Sequence, residues 1–223
     1  MCKKLLSLGA LFAVSLVPSH AATMSDSQTV NTTFTPDTLS FTLSQFNPTV
    51  GTLTGILIEF SAQLDGNFTA QNQSNAPGTL SGSLSATFSV DGPGGLPTPL
   101  FTLSPLSNFG PINVPALTAV PFVAPTSNDS DSYNVLPGDF ATFVGLGSVM
   151  FDGTASPLVG IITNINSLSL QQDLMGEATL MVTYEYEPDG VPEVPEPVTL
   201  YLMGGGLLAL SLMRRPRSAK KSV

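Results

Sequence analysis

The sequence predicts an all-β protein: an antiparallel β-sandwich of about eight to ten strands, with a signal helix at the N-terminus and a hydrophobic helix near the C-terminus. Three observations support this. Between Val30 and Glu187 the chain is dominated by Thr, Ser, Val, Leu and Phe, the residues that suit a pleated surface. Several stretches alternate apolar and polar residues with a period of two, which gives each strand one dry and one wet face. Between them fall short clusters of Gly, Pro, Asn and Asp, the residues of turns.

The first segment, 1–21, reads as a secretory signal peptide. Lys3 and Lys4 supply its charge, Leu5 to Val17 is apolar, and Ser19 and Ala21 are small residues at the cleavage positions. The apolar run is too short for a membrane span. Cys2 lies ahead of that run, the wrong side for a lipoprotein cysteine.

The second segment, 22–187, is the expected sandwich. In "TLSFTLSQF", Leu39, Phe41 and Leu43 share one face. In "GILIEFSAQL" the dry face is Ile56, Ile58, Phe60, Ala62 and Leu64. Leu80, Leu84, Ala86, Phe88 and Val90 form another, and Ala178, Leu180, Val182, Tyr184 and Tyr186 a fourth. Asp65-Gly66, Asp91-Gly92, Pro93-Gly94 and Asp152-Gly153 read as turns. "GPINVPALTAVPFVAPT" holds four prolines, so it reads as edge strand or extended connection. "SNDSDS", Ser127 to Ser132, reads as an exposed loop.

Segment 188–197 is rich in Pro and acid, the composition of an extended linker. Segment 198–213 carries no formal charge. As a helix it reaches about 24 Å, short of a hydrocarbon core of about 30 Å. It can still span with snorkelling arginines and local thinning. Segment 214–223 is basic, and by the positive-inside rule it holds that end in the cytoplasm.

Charge decides which functions are open. The seven basic residues are Lys3, Lys4, Arg214, Arg215, Arg217, Lys220 and Lys221, and the single His is His20. Residues 22–213 contain all 16 acids and no base, a formal charge of −16. Nucleic-acid binding is excluded, because phosphates are neutralised by Lys or Arg. Triads that need a His or Lys base are excluded there too, as are disulfides and Cys–His zinc sites.

Carboxylates, hydroxyls and amides remain. Asp129 and Asp131 are candidate Ca²⁺ ligands, though their spacing lacks an EF-hand's Gly and distal Glu. A glycoside hydrolase needs two carboxylates astride a sugar, and no motif singles out a pair. Tyr184 and Tyr186 read as core or edge packing, with carbohydrate contact as the alternative. Asn31, Asn67, Asn72 and Asn128 head Asn-x-Ser/Thr triplets.

"PEPVT", followed by an apolar run and an arginine cluster, resembles the PEP-CTERM sorting signal of Gram-negative bacteria. The resemblance implies recognition of Pro195, Glu196, Pro197 and Thr199 by an exosortase-type membrane protease. Arg214, Arg215 and Arg217 would then be the stop. It further implies an inner-membrane intermediate and association with exopolysaccharide or biofilm. "QFNPTVGTLTGILIEFSAQLDGNFTAQN", Gln45 to Asn72, resembles the choice-of-anchor E family of extracellular domains, which brings no catalytic residues with it. The expected function is therefore that of an exported, non-enzymatic surface or matrix protein with no obligatory cofactor. A calcium-dependent glycan-binding module is the alternative, and a carboxylate glycoside hydrolase stands last.

Overall fold

A computed structural model describes residues 21–33 and 37–189. The expected sorting signal from Pro195 to Arg217, with its apolar run and basic tail, and Ser19 of the expected signal peptide lie outside the described residues. The chain divides after Pro188 into two units, and every described strand belongs to the first.

The strands are β1 (Ala22–Thr32), β2 (Asp37–Ser44), β3 (Gly51–Asn72), β4 (Gly78–Val90), β5 (Phe101–Leu103), β6 (Leu106–Val114), β7 (Ala119–Asn134), β8 (Ser148–Thr163) and β9 (Leu168–Pro188). They form two antiparallel sheets packed as a sandwich. One sheet has the order β1-β9-β3-β7. In the other the order is β2-β8-β4, and β5 and β6 share the far side of β4. Every connection crosses between the sheets except the one from β4 to β5 and the break between β5 and β6. This winding is that of a jelly roll.

The alternation read from the sequence places the core. Leu39, Phe41, Leu43, Ile58, Phe60, Leu64, Phe88, Val90 and Tyr184 are fully buried between the sheets. Phe41 meets Phe60 edge-on at 6.1 Å, and Phe60 meets Phe101 at 5.7 Å. Truncating such a ring to Ala costs about 3–5 kcal/mol. A smaller cluster of Ala70, Leu80, Val114 and Ile165 fills the end of the sandwich where β3, β6 and β8 finish.

Ala22 lies opposite Tyr186, and Gly51 opposite Pro188. The chain therefore enters β1 and leaves β9 at the same end, here the entry end. The far end carries the connections 73–77, 115–118 and 164–167. Buried Asn72 ties two of them together. Its Nδ2 donates to the Ala76 and Val114 carbonyls at 2.8 and 3.2 Å, and its Oδ1 accepts the Ser74 amide at 2.9 Å.

Two expectations are corrected. Asp65-Gly66 and Asp152-Gly153 are not turns; they lie inside β3 and β8. Glycine is needed there for close approach. A Cβ at Gly66 would sit 2.6 Å from Leu84, and one at Gly153 would sit 2.2 Å from the Ser89 carbonyl. Ser127 to Ser132 is not a loop but the middle of β7, paired with β3 from Ser127↔Leu64 to Ser132↔Glu59. Its polarity is that of an edge strand rather than a connection. The proline-rich stretch behaves as expected. Pro111, Pro121 and Pro125 lie in β6 and β7, both at sheet edges.

Candidate functional site

An open sandwich has two lateral seams, where the edge strand of one sheet faces the edge strand of the other. Each edge strand carries unpaired backbone groups that must be satisfied or guarded. The seams divide naturally into an entry half and a far half, and the four regions are treated differently.

In the entry half, β1 closes one seam with side chains. The Asp26 carboxylate accepts the Ser44 amide of β2 at 2.7 Å, and Gln28 Oε1 accepts the Thr42 amide at 2.5 Å. Asp26 also accepts the Ser27 amide at 2.9 Å. The Ser44 hydrogen bonds, and to a smaller degree that of Ser27, hold the Asp26 carboxyl below its ordinary value. Just inside, the Tyr184 hydroxyl donates to the Ser44 carbonyl at 2.8 Å. Burial, with Asp26 nearby, pushes the Tyr184 phenol well above its ordinary value.

On the opposite seam β7 does the same for β5 and β6. Asp129 Oδ2 accepts the Ser104 amide at 2.8 Å, and the Ser127 hydroxyl donates to the Leu106 carbonyl at 3.0 Å. Asp129 and Asp131 lie opposite Ala62 and Phe60, both core residues, so their register is that of inward positions on an edge strand. Such inward-pointing charge discourages a neighbouring chain from adding a strand. In the far half of this seam the closure is aromatic. Phe68, Phe109 and Phe122 stack with centroids 5.0–5.3 Å apart.

The fourth region is open. β1 pairs with β9 only as far as Thr32↔Gly176, and β2 with β8 only as far as Asp37↔Ala155. Among the described residues, β8 beyond Ala155 and β9 before Gly176 have no strand on that side. Between them lies a cleft of about 380 Å³ lined by Pro157, Val159, Ile161, Leu170, Gln172 and Leu174. Val159, Ile161 and Leu170 are half-buried, although their register points them inward.

The residues singled out in the sequence fall as follows. Asp129 is a seam-closing residue: its second oxygen accepts the Ser130 amide at 2.9 Å, so neither oxygen is without a partner. Asp131 accepts the Ser132 amide at 2.8 Å. Among the described residues no three acids, His or Cys converge on one point. Tyr184 is a core residue, fully buried, and Tyr186 leans on Phe46 at 5.3 Å. Asn72 is 1 % exposed, so its triplet is closed to modification. The roles of Asp26 and Gln28 were not legible, because nothing local in "SDSQT" marks a cap across two sheets. The open cleft did leave a signal. "SPLVGII" is apolar at both parities, which a strand with one wet face is not.

No family model and no curated protein matches the chain. Solved structures with some likeness are capsid proteins of infectious bursal disease virus. The chain in the T13 particle matches at 13 % identity with a TM-score of 0.24, and that of the Gx strain at 16 % with 0.15. This chain is covered to 91 % in both, yet it spans only about half of the viral chains' length. Likeness this slight carries no argument about the chain. Among the described residues no helix is long and apolar enough to cross a membrane.

Proposed function

We propose that the chain is an exported, non-enzymatic surface or matrix protein, delivered across the inner membrane and sorted by its C-terminal Pro195-Glu196-Pro197 signal. The observation that carries this reading is segregated charge. Every cation lies at Lys3, Lys4 or from Arg214 onward, and the 192 residues between Ala22 and Met213 carry acids alone. A signal of this layout is held in the membrane by its basic stop while the acidic body is outside.

The architecture supports a display role over a catalytic one. Among the acids with described partners, Asp26 and Asp129 close seams and cap backbone amides, and Asp65 and Asp152 accept from neighbouring side chains. The partners proposed are an exosortase-type protease for the tail and the producing cell's own exopolysaccharide for the body.

The test is replacement of Pro195-Glu196-Pro197 by three alanines in the producing cell, followed by mass spectrometry of the protein's C-terminus. The expected result is an uncut chain retained in the inner membrane, against a shortened chain from the wild type. Intact Val223 on wild-type protein at the cell surface or in the medium would overturn the reading.

A further inference from the structure

We infer that the open far-half seam is a self-association surface, and that its occupant is a second copy of this chain, added antiparallel to the free edge of β8. The inference stands apart from the sorting signal, because it rests only on the sandwich.

This one region departs from the treatment of the other three. Elsewhere the seam is sealed by Asp26 and Gln28, by Asp129 and Ser127, or by the Phe68–Phe109–Phe122 stack. Here, among the described residues, core-facing Val159, Ile161 and Leu170 border open space over buried Leu174. An uncovered apolar edge of this kind is a template for another strand.

Backbone direction favours the same surface. The Asp91 amide donates to the Asp152 carbonyl at 2.8 Å, and the Asn164 amide to the Thr79 carbonyl at 3.4 Å. The even-numbered backbone groups of β8 therefore face β4, and the odd-numbered groups of Val159, Ile161 and Thr163 turn toward the opening. Pro157, with no N–H to lose, fits the same outward parity. In β9 the Gln73 amide donates to the Ser167 carbonyl at 2.8 Å, which sets odd groups toward β3 and turns Leu170, Gln172 and Leu174 outward. Both free edges thus offer hydrogen bonds into the same opening.

The distribution of charge points to the occupant. Two bodies each carrying −16 repel wherever their acids meet. No charged residue occurs in 66–90, 92–128 or 153–172, so the charge of the far half is confined to Asp173, with Asp37 and Asp65 at its border. That half is where one copy can approach another. A two-fold contact uses the same patch on both copies, and an antiparallel strand pair is self-complementary. With the axis at Gly160, Val159 meets Ile161 of the second copy across a hydrogen-bonded pair. Leu158 meets Ile162 on the outer face, where they are 69 % and 74 % exposed in one copy. Gly160 at the axis leaves the close, non-bonded pair free of side chains.

The experiment uses the exported protein recovered from its producing cells. Sedimentation should show a mass that doubles with rising protein concentration. The dimer should grow with added salt, because salt screens repulsion and there is no intermolecular ion pair to weaken. Ile162→Glu should hold the protein monomeric with an unchanged melting temperature, since Ile162 is exposed. In a Cys2→Ser background, Leu158→Cys with Ile162→Cys should give an interchain disulfide under mild oxidation, and Val123→Cys on the opposite edge should not. A single-chain mass at every salt and protein concentration would overturn the inference. So would a dimer that cross-links through Val123→Cys instead, or a Leu158→Cys/Ile162→Cys chain trapped on a protein of different sequence.

Discussion

Replacing Asp26 by Asn removes one charge from a sealed seam and changes little else. The carboxylate accepts the Ser44 amide at 2.7 Å and the Ser27 amide at 2.9 Å, and an amide oxygen can still accept at least one of these. A hydrogen bond to an ionised acceptor contributes roughly 1.5–3 kcal/mol, against roughly 0.5–1.5 for a neutral one. Asp26 is half-exposed, and solvent screening brings the difference down to about 1 kcal/mol. For a domain of this size that lowers the melting temperature by about 2–4 °C at neutral pH. The pH dependence follows from the direction of the pKa shift. The folded protein holds the Asp26 carboxyl below 3.8, so its contribution is complete above that value and is lost as pH falls through the folded pKa. Repulsion among the other 15 acids also relaxes in acid, but it does so in both proteins. The quantity to follow is therefore the gap in melting temperature between wild type and Asp26→Asn across a pH series. It should be present at neutral pH and close well below 3.8. A gap that persists undiminished in strong acid, or no gap at neutral pH, would refute the assignment of Asp26 as a charged seam closure.

Tyr184→Phe deletes the hydroxyl that reaches the Ser44 carbonyl and should cost about 1 kcal/mol by thermal melting. Ultraviolet titration of the wild type should show one tyrosine that ionises only as the protein unfolds in alkali. Ser107→Ala removes a buried hydroxyl with no hydrogen-bond partner among the described residues, so it should leave the melting temperature unchanged or raise it by up to a few degrees. Gly110→Ala should destabilise by at least about 2 kcal/mol in denaturant. Gly110 adopts φ +91° at the bulge between β4 and β6, where a Cβ would lie 2.6 Å from the Leu80 carbonyl.

The dry faces were legible because burial and alternation are the same fact seen twice. Leu39, Phe41 and Leu43, or Leu180, Val182 and Tyr184, are buried as their spacing requires. What escaped the sequence was closeness between strands far apart along the chain. Asp65-Gly66 has the chemistry of a turn, and only the Leu84 side chain packed on Gly66 reveals why the strand runs on. Ser127 to Ser132 has the polarity of a loop because an edge strand and a loop both face water. Asp129 carries the chemistry of a metal ligand, and its role as an edge closure becomes visible only when Ser104 is placed beside it. The proposed sorting signal is a different case: it is inferred from the linear order of charges alone, and its residues lie outside the described ones.

The long antiparallel pairing of β3 with β9 has a mechanical corollary. It runs from Gly51↔Pro188 at one end to Asn72↔Leu168 at the other. Tension between a tether joined at Pro188 and anything gripping the far end acts along the strands. It loads the rungs of that ladder together, in shear, instead of unzipping them one after another. Pulling Ala22 away from Pro188, by contrast, peels β1 from β9 rung by rung. The same sandwich is thus stiff along the direction in which a tethered body would be dragged and weak across its own two ends.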